Sequence, residues 1–542
     1  MAEIKTNLFL TAALREIPRL LGQLNRNPLS ESYGSFDRAY WHYRVNDISC
    51  ARHQEAALTL ALLYAHDFYG NVYYGNNKIL AWINASLEFT LSIQNNDGSF
   101  NEWYLNEKSF VCTSFVAVAL AETLMVLGKD RVKDCDKIIS RLAKAADWLI
   151  GHSEVLVFNQ LAGSVLALAK IAVLTGNSAY QSASREKLAI IEKAQSSEGW
   201  WSEYGGPDLG YLSLMIDYLA KYHQLVGEEK VLNMVKKANA FLTNFLHPNL
   251  TAGGEYMSRN TEYVIPSGFA YLAALDKNAE IVTAFCLASL KAGAGVGPGQ
   301  LDDRYLCYIL YNWLQAGIYL DSRQLIDIAG YLSDRRLDVF FKDSGLRIFQ
   351  NSNYYFTANL YKGGSFRLYS AGSQYFDSGA EIKFKGNKLI AGALDYNNKI
   401  ETKPGYLKTS GWLKPAKEPL LKTPLMVAFK FWQLLFGRLD SVQLLLKSFL
   451  RKKMITLHNP AGLAFEREFI FSEREIRVGD KIGAKVRRQN FYCAGKNSFN
   501  FIPSSKYFTV QEIKNQIKPA EQIFSSGENE SLLNRVFSLT AE

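Results

Sequence analysis

Gln94-Asn95-Asn96-Asp97-Gly98-Ser99-Phe100-Asn101-Glu102 returns as Gln195-Ser196-Ser197-Glu198-Gly199-Trp200-Trp201-Ser202-Glu203. The Gln, the acidic residue before Gly, the aromatic two residues after Gly and the closing Glu keep their offsets. Each copy lies between two stretches with apolar residues at three- and four-residue steps. A helix–loop–helix unit recurring at long range marks a helical toroid, in which hairpins stack and the loops at one rim enclose a cleft. A cleft lined by Trp, Tyr and carboxylates suits a sugar.

Outward from the repeat, helical periodicity covers 55–63, 115–127, 161–174, 212–222 and 281–292, with Gly/Asn/Asp/Pro loops at 95–98, 205–207 and 295–299. Near Leu337 the period changes. Val339-Phe340-Phe341, Leu346-Arg347-Ile348-Phe349 and the run 354–360 are β-prone, divided by Asp343-Ser344-Gly345, Asn351-Ser352-Asn353 and Lys362-Gly363-Gly364. The predicted fold class is α+β multidomain: an N-terminal (α/α) toroid of helical hairpins, residues 1–335, then an antiparallel β-sandwich, residues 336–542. A basic amphipathic helical insertion at 422–454 interrupts the strands. A chain of 542 residues is long enough for two or three such cores.

That insertion sets Lys422, Lys430, Arg438, Lys447, Arg451, Lys452 and Lys453 against Asp440 alone, among Phe429, Phe431, Trp432, Leu434, Leu435 and Phe436. Three placements stay open: packed on the sheet with a solvated basic face, in peripheral contact with an anionic membrane, or as a basic lip over the cleft. The whole chain carries +9, so an acidic partner is favoured. Nucleic acid is not expected, because no zinc-finger spacing, helix-turn-helix or RNA-binding aromatic signature occurs. The six cysteines are scattered without a CxxC pair, which speaks against a metal cluster or a disulfide scaffold. No metal or other cofactor is expected. The first 26 residues lack the long apolar core and cleavage site of a secretory signal, and no run is read as reaching spanning length. The expected location is the cytoplasm or the periphery of a membrane.

Four loop clusters could carry chemistry: Glu102, Trp103 and Tyr104; Trp201, Glu203, Tyr204, Asp208 and Tyr211; Glu255, Arg259 and Tyr263; and Asp302 with Arg304. Asn159-Gln160 opens the 161–174 helical stretch, with its side-chain amides directed into the ring. A uronate lyase needs the sugar carboxylate neutralised by Asn, Gln or Arg and a Tyr or His to move protons. A phenolate needs a nearby cation, and Arg259 and Arg304 are the candidates. A glycosidase would instead pair two carboxylates from Glu203, Asp208, Glu255 and Asp302. No HExxH, P-loop, Rossmann fingerprint or GxSxG appears, which excludes metalloprotease, nucleotide-driven and serine-hydrolase readings.

Phe158-Asn159-Gln160-Leu161-Ala162-Gly163, the stretch Glu198 to Tyr204, Asp343-Ser344-Gly345-Leu346 and the run 354–364 occur in an order that resembles the heparinase II/III-like group of polysaccharide lyases, over most of residues 30–400. The resemblance implies an incomplete (α/α) toroid joined to a β-sandwich, with the active site between them. It also implies an Asn-His pair that neutralises the uronate and a downstream Tyr that transfers protons. Asn159 stands at that Asn, Gln160 replaces the His, and Tyr211 is the matching Tyr, with Tyr204 second. Gln can bond a carboxylate but transfers no proton at neutral pH; His458 or His53 would compensate. The expected function is β-elimination on an acidic, uronic-acid-containing polysaccharide or oligosaccharide. Asn159, Gln160, Tyr211, Tyr204, Arg259 and His458 are the expected catalytic set. Trp201, Glu203, Asp208, Glu255, Tyr263, Arg304, Glu102 and Tyr104 would contact the sugar. A uronate epimerase or glycoside hydrolase of surface-polysaccharide synthesis, or a noncatalytic glycan-binding protein, stays open beside it.

Overall fold

The structure is a computed structural model that describes residues 7–320, 325–416, 422–437, 439, 442, 445–446, 449, 460–493, 495 and 504–539. Helices run to Asp334 and strands begin at Leu337. The (α/α) toroid and antiparallel sheets expected from the sequence are both present.

Six inner helices, Ala56–Ala65, Phe110–Leu127, Phe158–Thr175, Leu209–Val226, Ser267–Leu272 and Tyr311–Tyr319, pack each against the next, and the last returns to the first. Each is backed by an outer helix: Asn77–Ser92, Cys135–Ile150, Ser178–Ala194, Glu229–Leu242, Lys277–Ala292 and, from the start of the chain, Leu8–Gln23. The ring is therefore closed, where the family resemblance implied an incomplete one. Sequence sorts inner from outer. Phe110–Leu127 is apolar all round and buries every residue from Cys112 to Leu124. Cys135–Ile150 buries Ile138, Leu142, Ala145, Ala146, Trp148 and Leu149, one stripe at helical spacing. Phe110–Leu127 and Phe158–Thr175 do reach the length and apolarity of a membrane span, but 78% of each is buried within the ring wall. The expectation that no run reaches spanning length is corrected accordingly.

The repeated motif builds the joints between outer and inner helices. In both copies the Gln amide staples the turn to the next outer helix: Gln94 Nε2 donates to Gly98 O (2.8 Å) and Arg141 O (3.0 Å), and Gln195 Nε2 to Gly199 O (3.0 Å) and Met234 O (2.9 Å). Gly98 and Gly199 have φ of +96° and +104°, and a Cβ there would stand 2.2 Å from Lys144 O and 2.5 Å from Lys237 O. Only glycine fits both the backbone and the gap. The same two backbone bonds close the turn at 95–99 and 196–200, and again at 247–251 and, around a longer loop, at 25–35. Four joints thus share a turn whose sequence signature is plain in two.

The sheet domain contains β1 (Leu337–Phe341), β2 (Leu346–Gln350), β3 (Tyr355–Asn359), β4 (Ser365–Ser370), β5 (Ser373–Asp377), β6 (Glu381–Phe384), β7 (Asn387–Ile390), β8 (Lys399–Lys403), β9 (Tyr406–Trp412), β10 (Lys414–Pro415), β11 (Ala464–Phe471), β12 (Glu475–Ile482), β13 (Phe491–Tyr492), β14 (Glu521–Ser526) and β15 (Ser531–Ser538). They form antiparallel sheets in the orders β1-β2-β3-β4-β5, β10-β7-β6-β13 and β14-β15-β12-β11-β9-β8. Phe356, Phe366 and Leu368 of the first sheet meet Leu407, Phe469, Val478 and Phe537 of the third in one sandwich core. The opposite face of the first sheet, with Ile348, Tyr355 and Tyr369, joins the toroid core. β3 is covered on both faces and buries all five residues, whereas β12 alternates.

The toroid loop 243–262 is locked to that sheet. Arg367 on β4 donates to Glu255 (2.8 Å) and Glu262 (2.5 Å), all buried. Asn359 Nδ2 donates to Tyr256 O (2.9 Å), Tyr369 Oη pairs with His247 Nδ1 (2.9 Å), and Arg335 donates to Thr243 O and Leu246 O. Glu198, the acidic residue of the second repeat, accepts from the backbone N–H groups of Asp343 (2.7 Å) and Ser344 (3.2 Å).

Candidate active site

Two arcs of the rim carry the expected residues. The first is built on the 195–211 joint. Asp208 caps the Leu209–Val226 helix by accepting from Tyr211 N (3.3 Å), and it also accepts from Arg259 N (3.0 Å), Thr261 N (3.3 Å) and the Thr261 hydroxyl. One carboxylate thereby fixes Tyr211 and the Arg259 loop to each other. Glu203 does the same for the neighbouring hairpin. Its oxygens accept from Asn159 N (3.0 Å) and Asn159 Nδ2 (2.7 Å) at the start of the Phe158–Thr175 helix, and the group is buried. Burial, with Asp208 nearby, pushes Glu203 well above the ordinary carboxylate range, against the pull of its Asn159 bonds and of Arg259. Gln160, the next residue on that helix, is half-buried. Tyr204 sits in the left-handed region (φ +56°) with the Arg259 guanidinium 4.3 Å above its ring.

Tyr211 is half-buried and accepts a hydrogen bond from Ser504 Oγ (2.8 Å), which comes from the sheet domain. Burial raises its phenol above the ordinary value, while Arg259 and the Ser504 bond pull the other way. Behind it, Tyr263, Tyr305 and Tyr507 form a cluster of tilted and T-shaped rings with centroids 6.0 to 6.4 Å apart.

The second arc is built on the 94–107 joint. Glu102 lies 3.6 Å from Arg304 and 4.0 Å from Arg52. Arg304 lies over the Trp103 ring (3.8 Å), donates to Tyr308 Oη (2.5 Å) and reaches Cys50 Sγ (3.4 Å). Trp103 remains 49% exposed. Arg52 is held by Glu55 (2.7 Å) and packs on Tyr308 (4.0 Å); burial pushes Glu55 up to about 7 against that arginine. His53 lies 3.8 Å from Asp37 and edge-on to Tyr308; burial brings it down to about 4.

Several expected contacts are corrected. Trp201 is 1% exposed and its Nε1 donates to Ile191 O, so it is core rather than a sugar platform. Glu255 is spent on Arg367, and Asp208 on the cap and the Arg259 loop; neither is open to a sugar. Tyr263 is buried and supports Tyr305 from behind. Tyr104 is covered edge-on by Phe429 (5.4 Å). Asp302 caps the Asp303–Ile309 helix. His458 lies outside the described residues. Asn159 is present at the rim, but its amide N–H is engaged by Glu203.

Sequence reading placed Tyr305 in the cluster with Asp302 and Arg304, and missed Ser504, Tyr507 and Lys362. Lys362 is buried, donates to Met257 O and Asn260 Oδ1 on either side of Arg259, and is lowered by burial to about 7. Among the described residues, no group of three or more His, Cys, Asp or Glu side chains converges to hold a metal ion.

No protein-family profile matches the chain, and no curated protein matches it in sequence. Solved structures do. A chondroitin AC lyase of Streptomyces coelicolor A3, in complex with chondroitin sulphate, superposes with a TM-score of 0.55 at 10% identity, over 99% of this chain and 78% of that one. A Paenibacillus xanthan lyase superposes with a TM-score of 0.51 at 11% identity, over 89% of this chain. The chain spans only 45% of the length of that xanthan lyase. The fold is therefore that of these polysaccharide lyases.

Proposed function

We propose that the cleft carries out β-elimination on an acidic, uronic-acid-containing glycan, with Tyr211 as the group that moves the proton. The carrying observation is the placement of the Tyr211 phenol at the toroid–sheet junction, bonded by Ser504 and in the field of Arg259. The Tyr211 phenolate takes the proton from the carbon beside the sugar carboxylate. The electron pair left behind forms a C=C bond as the C–O bond to the neighbouring sugar breaks, and the phenol returns its proton to that oxygen. Arg259 supplies the countercharge for both phenolate and carboxylate. The bonds from Asn159 to Glu203 hold the helix start in place. Trp103 and Arg304 offer a stacking face and a cation for a sugar further along the cleft. The glycosidase alternative loses support, because Asp208, Glu255 and Asp302 are each engaged as caps or ion pairs.

The test is ultraviolet absorbance during incubation with a panel of uronic-acid polysaccharides, since elimination leaves a conjugated unsaturated uronate. A rise that Tyr211→Phe removes is the expected result, and a flat trace over a broad panel overturns the lyase reading. The pH profile has a defined sign. A base must be ionised, and burial raises the Tyr211 phenol, so kcat/KM rises about tenfold per pH unit from neutrality into the alkaline range. A profile that falls above pH 7 excludes Tyr211 as the base.

A further inference from the structure

The Thr423–Phe436 helix lies on the toroid rim rather than on the sheet. Phe429 packs on Tyr104, Lys430 pairs with Asp47 (2.7 Å), and Gln433 and Gly437 are buried. Positions 429, 433 and 437 recur every four residues, so a single seam attaches the helix and the rest of its circumference is open. Leu425, Met426, Phe431, Leu434, Leu435 and Phe436 are 46% to 70% exposed, and Leu439, Leu445 and Phe449 continue the apolar run. Tyr43 and Val45, on the loop that provides Asp47, are exposed beside it. A contiguous apolar patch of this kind on a folded chain marks a surface that something covers.

We propose that this helix docks the protein on an anionic membrane surface, lying in the headgroup plane beside the mouth of the cleft. Charge selects the occupant: between 422 and 454 there are seven Lys and Arg residues against one acidic residue. A second copy carries the same net positive stretch, so pairing two copies brings like charge together, which opposes association. Anionic headgroups supply the missing charge while the acyl boundary takes the Leu and Phe side chains. Length sets the orientation. A 14-residue helix is about 21 Å long, short of the roughly 30 Å hydrocarbon thickness, so it lies along the surface and does not span it.

The experiment is co-sedimentation of the full chain with vesicles of phosphatidylcholine alone and of phosphatidylcholine mixed with phosphatidylglycerol. Binding to the mixed vesicles at least about tenfold tighter than to the neutral ones, and weakened by added salt, is expected. The double variant Leu434→Glu with Leu435→Glu, at exposed positions, loses that binding about tenfold or more while its thermal melt stays that of the parent. A second variant, Lys452→Glu with Lys453→Glu, removes the preference for anionic vesicles. Absence of binding to either vesicle, or unchanged binding by both variants, overturns the proposal. So does a parent that sediments as a dimer and becomes monomeric on Leu434→Glu with Leu435→Glu, which assigns the face to a second copy. Vesicle binding is read without any glycan, so the result stands whatever reaction the cleft performs.

Discussion

The two rim arcs start from the same nine-residue pattern and end in different chemistry. In each, the residue after the closing Glu is aromatic and lies under an arginine from a distant segment: Trp103 under Arg304 and Tyr204 under Arg259. In each, the Gln staples the turn and the Gly lets it pass an outer helix. The arcs part at the partners of the Glu. Glu102 faces two guanidiniums, while Glu203 faces an asparagine and a second carboxylate and is pushed upward by burial. One arc is a charged, half-exposed platform. The other sets a phenol beside one arginine, with two buried carboxyl groups bonded by backbone and amide N–H groups. Repeated positions hold the scaffold, and the residues that differ decide what each arc can do.

The sharpest way to break that division is at Tyr211. Its replacement by Phe is expected to lower turnover about a thousandfold, in the range of a lost proton-transfer group, with affinity for glycan retained. Trp103→Ala, in the other arc, should raise KM and leave kcat close to the parent value. Equal effects on kcat, measured by steady-state kinetics, would mean that the arcs do not divide the labour. Next in size come the glycines. Gly98→Ala and Gly199→Ala each force a Cβ against a helix carbonyl at positive φ, and each is expected to destabilise by about 3 kcal/mol in denaturant melts. The closer approach at Gly98 makes it the worse of the two.

How much of this was legible follows the same line. Helical period, the shift to strand period near Leu337 and the repeated motif were enough for the toroid and the sheets, because burial on one stripe or on every face writes itself into the sequence. Ring closure was not legible, since the packing of Ala56–Ala65 against Tyr311–Tyr319 joins segments far apart in the chain. Two further copies of the turn were hidden, one by a longer loop and one because Leu250 takes a left-handed conformation (φ +63°) usually left to glycine. The reading of Trp201 as a sugar platform failed against a signal already present. The same offset holds Phe100 in the other copy, which is equally buried, so an aromatic retained in both copies belonged to the scaffold. Ser504 and Lys362 carry no local mark. They reach the Tyr211 and Arg259 arc from the sheet domain, and only the folded chain brings them there.

Smaller effects sharpen the comparison. Arg304→Ala removes the cation over Trp103 and the partner of Glu102, and should weaken acidic oligosaccharide binding about tenfold, or ~1.4 kcal/mol. Titration calorimetry should show that loss fading with salt, because Arg304 is partly exposed.

The smallest test asks whether the repeated positions are scaffold alone. Gln94→Ala and Gln195→Ala each delete two hydrogen bonds, one within the turn and one to the neighbouring outer helix. Arg141 O and Met234 O lie within helices and keep their intrahelical bonds, so the expected cost is about 1 kcal/mol for either variant. The two costs should match, since the bonds match in kind and length. Catalytic constants should match the parent in both variants once the proteins are assayed well below their melting temperatures. A Gln195→Ala that melts like Gln94→Ala but loses activity would place chemistry in the repeat itself, and the division between shared scaffold and divergent ends would fail at its strongest point.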